Sequence, residues 1–254
     1  MNLRKYIFYL LVIVGLVLFM GVSSNSILAE DLTAKEIIQR VDENEYIESA
    51  RMEAKMIIED RGREIVKEFH SYLQGEDSLS EFTNPRDRGT RYLKLGDDLW
   101  MYFPDAEDLV SISGHMMREG MMGSDFSYED TMESQQLAEL YNFELEDEET
   151  INGREAYVIL ATAREGEDVS YYERKIWVDQ ERFVILKGEY FSTSGRLLKE
   201  MEVKEVAEFD NNRWYPVDVV MNNRLKEGSR TTMRVIEIDF DYEIPEGKIS
   251  LETL

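Results

Sequence analysis

The spacing of apolar residues predicts one amphipathic helix near the start of the chain. Ile37, Ile38 and Val41 recur at helical spacing within "DLTAKEIIQRVDENEYI", which places them on one face of a helix. Thr33 and Glu36 stand just before this run with the spacing of a capping box. We therefore expect a helix that begins after Thr33 and packs one apolar stripe against the rest of the protein.

Beyond this helix the pattern changes to the alternation of half-buried strands. Ala50, Met52 and Ala54 alternate with charged neighbours, and similar runs follow, separated by turn signals such as the Asn-Gly pair at 152–153. We count roughly ten or eleven such runs, without an intervening linker rich in Pro, Gly or Ser. The pattern predicts a single antiparallel β domain over residues 30–254, with one helix in front.

Strands of this kind form a sheet with one apolar face, which another part of the chain or a ligand must cover. The predicted helix is one candidate cover. The other is "HMMREGMMGSDFSYED", residues 115–130, which begins with two Met-Met pairs. This stretch is too apolar for an ordinary surface loop and too rich in glycine for an ordinary helix. We expect it to lie over the apolar face.

The N-terminus has the features of a secretory signal peptide. Arg4 and Lys5 precede an uncharged apolar run that ends near Val22, and small polar residues at 23–26 and the small residue Ala29 follow. We predict that residues 1–29 are a cleaved signal peptide. The alternative is an uncleaved anchor in the inner membrane, because the apolar run reaches the lower limit of length for a spanning helix. Both readings place residues 30–254 across the membrane and predict a periplasmic protein.

The chain carries a formal net charge of −24 and contains no cysteine. Such a charge repels nucleic acid and anionic lipid head groups, so we expect no nucleic-acid partner. The absence of cysteine excludes disulfides, thiolate metal ligands and a thiol nucleophile. It also excludes acylation of a lipoprotein-type cysteine in this chain.

The sequence holds few residues suited to catalysis. The two histidines are His70, in a strand-like run, and His115, in the methionine-rich stretch. Neither stands in a recognisable nucleophile, zinc-binding or phosphate-binding motif. Acidic pairs such as Glu148-Glu149 are expected by chance among 53 acidic residues. We therefore expect no catalytic residue, no metal and no cofactor, and we interpret the protein as a non-enzyme.

Methionine and aromatic residues are concentrated instead. Five of the thirteen methionines fall between Met116 and Met132. Methionine is flexible and polarizable, which suits surfaces that accept apolar partners of varying shape, although such residues also serve as core filler. We predict a binding site for apolar cargo. Its candidate residues are Trp100, Tyr102, Met116, Met117, Met121, Met122, Phe126 and Tyr128.

The stretch "LWMYFPDAEDLVSISGHMMREGMMGSDFSYEDTM", residues 99–132, resembles the signature of the outer-membrane lipoprotein-sorting protein family, the LolA-like periplasmic carriers. The match comprises an aromatic strand, a short apolar strand, a loop and the unbroken run "GSDFSYED". The resemblance implies a mainly β fold with a few helices: an incomplete antiparallel β-barrel, or half-barrel, with a helical lid on its concave apolar face. Within this run we expect Ser127 and Asp130 to cap a short helix and Asp125 to bind backbone amides of the same turn.

These observations favour a non-enzymatic periplasmic carrier. The resemblance implies that acyl chains of a lipoprotein, or another lipid, enter between sheet and lid, and we expect the lid to be displaced when they do. We expect a monomer that meets an inner-membrane transporter or exporter as a second partner. The alternative is a periplasmic sensor or accessory module that serves an inner-membrane hydrophobe exporter or a signalling protein.

Overall fold

The computed structural model describes residues 32–133, 137–209 and 213–254, and Thr33–Leu254 form one compact unit. The predicted signal peptide or anchor, residues 1–29, lies outside the described residues. Within the described ranges, every helix is too short or too polar to cross a membrane.

Helix α1 (Ala34–Glu45) begins where the sequence predicts. The Glu36 amide donates to Thr33 Oγ1 at 3.3 Å, and the Thr33 amide donates to the Glu36 carboxylate at 2.8 Å, which completes the predicted capping box. The apolar stripe of Ile37, Ile38 and Val41 is fully buried. α1 contacts the strands Tyr141–Ile151 and Arg213–Asn223 and the short helix Leu137–Leu140, so its stripe covers part of the sheet as predicted.

The described residues form thirteen strands in one antiparallel sheet, in the order β6-β5-β4-β3-β2-β1-β13-β12-β11-β10-β9-β8-β7. Consecutive strands pair with each other except β6 and β7, and the first strand pairs with the last. The strands are β1 (Ala50–Asp60), β2 (Arg63–Gln74), β3 (Asp77–Phe82), β4 (Arg91–Leu95), β5 (Asp98–Phe103), β6 (Asp108–Ser111), β7 (Tyr141–Ile151), β8 (Arg154–Ala163), β9 (Glu173–Asp179), β10 (Ile185–Phe191), β11 (Leu197–Phe209), β12 (Arg213–Asn223) and β13 (Ser229–Phe240).

The predicted incomplete barrel is confirmed, because β6 and β7 end the sheet without pairing to each other. The predicted number of strands was too small. Strands as short as β6, with four residues, span too few positions for alternation to separate them from a loop. The long edge strand β7 carries five acidic residues between Glu144 and Glu149, and such charges prevent an open edge from pairing with another chain.

The described residues between the two edge strands, 112–133 and 137–140, form a lid over the apolar face of the sheet. It contains 3₁₀ turns at Gly114–Arg118 and Met121–Gly123, then the short helices α2 (Tyr128–Glu133) and α3 (Leu137–Leu140). We call residues 114–122 the methionine segment and residues 123–133 the anchored segment. A further 3₁₀ turn, Leu251–Thr253, lies near the C-terminus.

Candidate functional site

The inner faces of strands β1 to β5 form one continuous apolar wall. Strand alternation brings the wall residues to the same side of the sheet, and the lid contacts them there. The buried residues of the wall are Ala54, Met56, Ile58, Phe69, Phe82, Tyr92, Leu99 and Met101.

The methionine segment packs against this wall. Met116, Met117 and Met122 are partly buried against it, and Met121 is buried with 9% of its surface exposed. The four methionines predicted as site residues therefore meet the sheet face that the sequence pattern predicted to need a cover. Their unbranched side chains fill the irregular gap between a 3₁₀ turn and a curved sheet.

The four aromatic candidates divide into two pairs. Phe126 lines the cavities described below, and Tyr128 is buried in the wall, where its ring stacks on that of Tyr92 with centroids 5.8 Å apart. The structure corrects the prediction that Trp100 and Tyr102 belong to the binding site. On β5 the buried residues are Leu99 and Met101, so the two aromatic residues that alternate with them lie on the opposite face of the sheet.

Two adjoining cavities lie between the lid and the sheet, with volumes of about 370 and 300 Å³. The larger, which we call the apolar chamber, is lined by Met52, Phe69, Phe82 and Met233 and also by the charged residues Glu76, Asp77 and Lys94. The smaller, which we call the polar-ended chamber, is lined on the lid side by Phe126, Asp130 and Leu137. Both are lined by five shared residues: Phe126, Asp130, Tyr215, Pro216 and Val219.

The anchored segment is fixed to the sheet by Asp125, which is 3% exposed. Ser229 and Thr231 of β13 donate hydroxyl hydrogen bonds to its two carboxylate oxygens at 2.6 and 2.9 Å, and the Asp125 amide donates to Thr231 Oγ1 at 2.9 Å. The expectation that Asp125 binds amides of its own turn was therefore wrong. A carboxylate accepts from any well-placed donor, and the turn directs this one at the sheet.

A second carboxylate of the same segment is paired with a cation. Lys199 Nζ of β11 lies 2.8 Å from Asp130 Oδ2, and Tyr171 Oη donates to Oδ1 at 2.7 Å. Although burial acts to raise the pKa of Asp130, the Lys199 ammonium and these hydrogen bonds hold it below its usual value. The predicted cap of α2 is also present, because the Ser127 amide donates to Asp130 Oδ2 and the Asp130 amide donates to Ser127 Oγ.

The polar-ended chamber contains two charged residues that the sequence interpretation missed. Arg174 of β9 is 6% exposed, and its guanidinium carbon lies 4.8, 5.1 and 5.5 Å from the ring centres of Tyr141, Tyr171 and Tyr190. Glu45 ends α1 and lines the same chamber. Strand alternation could have revealed Arg174, since Ile176 on the same strand also points inward.

A family model described as "Uncharacterized protein" matches residues 74–254. None of the curated proteins matches the chain significantly. A solved structure of a DUF1329 family protein from Desulfovibrio piger is 24% identical with a TM-score of 0.81, and the match covers 87% of this chain and 97% of that one.

Two further solved structures are similar to this chain. An outer membrane lipoprotein-sorting protein domain from Vibrio parahaemolyticus is 23% identical with a TM-score of 0.76, covering 87% of this chain and 97% of that one. A LolA superfamily protein from Nitrosomonas europaea is 22% identical with a TM-score of 0.72, covering 88% of this chain and 100% of that one. The predicted resemblance to the lipoprotein-sorting, LolA-like family is confirmed in the fold.

Proposed function

The chain belongs to the family of uncharacterized proteins whose model spans residues 74–254 and has a LolA-like fold, and from this premise we propose that it is a non-enzymatic periplasmic carrier of lipid. The cargo is an acylated lipoprotein or another amphiphile, taken up between the apolar wall and the lid. Export by the N-terminal signal peptide brings residues 30–254 to the periplasm, where an inner-membrane transporter or exporter is the source of the cargo.

The pair of chambers between sheet and lid is the observation that carries this proposal. Their volumes, about 370 and 300 Å³, are within the range of pockets that bind small ligands. An acyl chain makes no hydrogen bonds, and its burial is favourable by about 0.8 kcal/mol per methylene. An acyl chain that packs against a wall of Met, Phe and aliphatic side chains is buried in this way, and no polar group of the chain is left unsatisfied.

Loading of cargo exchanges one apolar contact for another. Met116, Met117 and Met122 pack against the wall, and an acyl chain that displaces them buries the same surface. Met121 and Phe126 line the larger chamber and Tyr128 is buried in the wall, so we assign these three residues to direct contact with the guest. The fraction of the protein in which cargo replaces the lid methionines then depends on the cargo concentration, as expected for a carrier that must also release its cargo.

The experiment that tests this proposal places a bulky side chain inside the chambers by substitution. Val219 lines both chambers, and Val219→Trp places an indole in the space assigned to cargo. We expect the exported protein to bind a pyrene-labelled fatty acid, and Val219→Trp to weaken that binding roughly tenfold or more, with unchanged far-ultraviolet circular dichroism.

The matched control is Val66→Trp. Val66 lies on β2 and is 40% exposed, so the same substitution there adds bulk outside the chambers. Equal loss of binding in both variants, or none in Val219→Trp, would contradict the assignment of the chambers. Absence of any bound lipid in an organic extract of the protein, together with no probe binding, would overturn the carrier proposal itself.

A further inference from the structure

The two open edges of the sheet differ in their protection against pairing. The edge strand β7 carries five acidic residues between Glu144 and Glu149, whereas β6 carries a single one, Asp108, at its first position. An edge strand with few charges offers its backbone to another strand. The β6 edge therefore lacks the protection that the β7 edge has.

Apolar side chains on the outer face of the sheet accompany the β6 edge. Trp100 and Tyr102 of β5 lie on this face, away from the chambers, because they alternate with the buried residues of their strand. Leu109 of β6 lies directly opposite Tyr102 and is 48% exposed. Aromatic residues are enriched where proteins contact one another. The outer face beside β6 thus has the composition of a contact surface.

The backbone of β6 bonds alternately to β5 and to the free edge. The Ile112 amide donates to the Leu99 carbonyl at 2.8 Å, and in an antiparallel ladder every second residue makes such bonds to the same neighbour. Val110, two positions earlier, therefore bonds to β5 as well. The N–H and C=O groups of Leu109 and Ser111 point the other way, to the edge at which the sheet order ends.

The groups at this edge are self-complementary. When a second copy runs antiparallel, with Val110 facing the partner's Val110, Leu109 of each copy faces Ser111 of the other. Each such pair exchanges two backbone hydrogen bonds. A register with Leu109 facing the partner's Leu109 is poorer, because it sets Ser111 against Glu107, whose φ of 50° is not that of a strand.

The side chains favour the same register. On the outer face, Tyr102 and Leu109 of one copy then share a row with the partner's Ser111 and Trp100, so that apolar groups stand on both sides of a small serine. The acidic turn at 105–108 lies beyond the end of the partner's strand. Acidic residues of the two copies therefore do not face each other, which like-charged cross-strand pairs would make unfavourable.

We propose that the β6 edge pairs with the β6 edge of a second copy and joins the two sheets across a two-fold axis. The residues that line the two chambers do not include β6, so this inference is independent of the proposed function. The dimer is weak, because β6 has four residues and each copy carries a formal net charge of −24. It strengthens with salt, which screens this repulsion. The monomer expected from the sequence is then the dilute form.

Single cysteine substitutions test the register, since the chain contains no cysteine. The Cα atoms of a facing pair that exchanges no hydrogen bonds lie about 4.5 Å apart, within the span of a disulfide. We expect Val110→Cys to form a disulfide-linked dimer under mild oxidation. The matched control is Leu109→Cys, in which the two cysteines lie diagonally at about 7–8 Å and should not be bridged. Random collision favours the opposite order, since Leu109 is the more exposed residue.

A proline at the free edge tests the backbone pairing. Ser111→Pro removes an N–H that points away from β5, whereas Ser111→Ala changes the same side chain and keeps the N–H. We expect sedimentation of the exported protein at increasing concentration to show a monomer–dimer equilibrium that Ser111→Pro weakens roughly tenfold or more. Ser111→Ala should leave it unchanged, and both variants should keep the far-ultraviolet circular dichroism of the parent.

The contrary outcomes are equally specific. A monomer at every concentration up to about 1 mM, or cross-linking of Leu109→Cys as fast as that of Val110→Cys, overturns the proposal. A dimer that Ser111→Pro and Ser111→Ala weaken equally, or that salt dissociates, forms through another surface and overturns it too. The binding of a pyrene-labelled fatty acid, which tests the carrier, should be the same in all of these variants.

Discussion

The two halves of the lid are adjacent in sequence and attached to the sheet in different ways. In the methionine segment, Met121 is buried and residues 114–120 are exposed or partly buried, and its contacts with the wall come from methionine side chains. In the anchored segment, Ser124, Asp125, Ser127 and Tyr128 are buried. Two carboxylates of this half are hydrogen-bonded or ion-paired to β11 and β13.

The difference shows which part of the lid a guest can replace. Apolar contact is non-directional, so an acyl chain substitutes for a methionine side chain without a penalty in hydrogen bonding. A buried carboxylate bound to Ser229 and Thr231 has no such substitute, because its removal leaves polar groups unsatisfied. The lid therefore has one exchangeable half, the methionine segment, and one fixed half, the anchored segment.

Gly120 lies where the two halves meet. A Cβ atom at this position would lie 2.0 Å from the Ser124 carbonyl oxygen, which no side chain tolerates without a backbone shift. The close approach lets the Met121 amide donate to the Phe126 carbonyl at 2.7 Å. The glycine thus allows the chain to turn sharply from the exchangeable half into the fixed half.

The largest expected effect comes from breaking the buried ion pair of the fixed half. Asp130→Asn leaves the Lys199 ammonium without its carboxylate in a site where each side chain is 13% exposed, so we expect the free energy of unfolding to fall by about 3 kcal/mol. Denaturant unfolding at neutral pH, followed by circular dichroism, measures this change.

Asp168→Asn is the matched control, because it removes an ion-pair partner of Arg118 in the exchangeable half. Arg118 pairs with Asp168 at the same N–O distance, 2.8 Å, but these side chains are 58% and 93% exposed. An exposed pair contributes about 0–1 kcal/mol, so this variant should unfold almost like the original protein. Equal effects of the two substitutions would refute the distinction between the halves.

A somewhat smaller effect is expected at the other anchor. Asp125→Ala removes the acceptor for the hydroxyl groups of Ser229 and Thr231, and we expect a loss of about 2 kcal/mol in the free energy of unfolding. Ser229→Ala, which removes one donor and keeps the Thr231 bonds, should lose less. If Asp125→Ala unfolds like the parent protein, the carboxylate does not hold the lid.

Much of the fold could be predicted because it depends on local pattern. The capping box at Thr33 and the alternation along β1 are short-range signals, and both are present in the structure. The open sheet was predicted from the resemblance carried by "GSDFSYED" rather than from the alternation, which is equally compatible with a sandwich or a closed barrel.

The parts that failed depend on partners distant in sequence. Asp125 binds residues more than a hundred positions away, and nothing near it in the chain distinguishes that arrangement from a local turn. Trp100 and Tyr102 failed for another reason. Their aromatic character suggested a binding role, but the alternation of β5 sends Leu99 and Met101 inward instead.

The pH dependence of stability provides a third test, at Glu45, which lines the polar-ended chamber. Since burial raises the pKa of Glu45 to about 7 from 4.5, the folded protein binds a proton there more readily than the unfolded chain. The stability contributed by this group is present below pH 4.5 and is lost as the pH rises through about 7.

Glu45→Gln mimics the protonated acid and should be more stable than the parent protein above neutral pH, with the difference vanishing in acid. We expect this gain to be smaller than the losses at Asp130 and Asp125, because Glu45 is only partly buried. Unfolding titrations across the acid to neutral range measure it. A difference in the free energy of unfolding between Glu45→Gln and the parent protein that grows toward low pH would contradict this prediction.

The smallest change in global stability is expected from the exchangeable half itself. Met117 is partly buried against the wall, so Met117→Ala should lower the free energy of unfolding by only about 1 kcal/mol or less. Its effect should instead be local, because removal of one methionine contact favours the open state of residues 114–120 over the packed one.

Hydrogen exchange of backbone amides distinguishes local from global opening. Amides of 114–120 should exchange faster than those of 124–130 in the parent protein, since the Asp125 and Ser127 amides donate to buried side-chain acceptors. Met117→Ala should increase exchange in the first stretch and leave the second unchanged. Uniform exchange across both stretches would mean that the lid moves as one piece, and the methionines would then be ordinary core residues of a fixed cover.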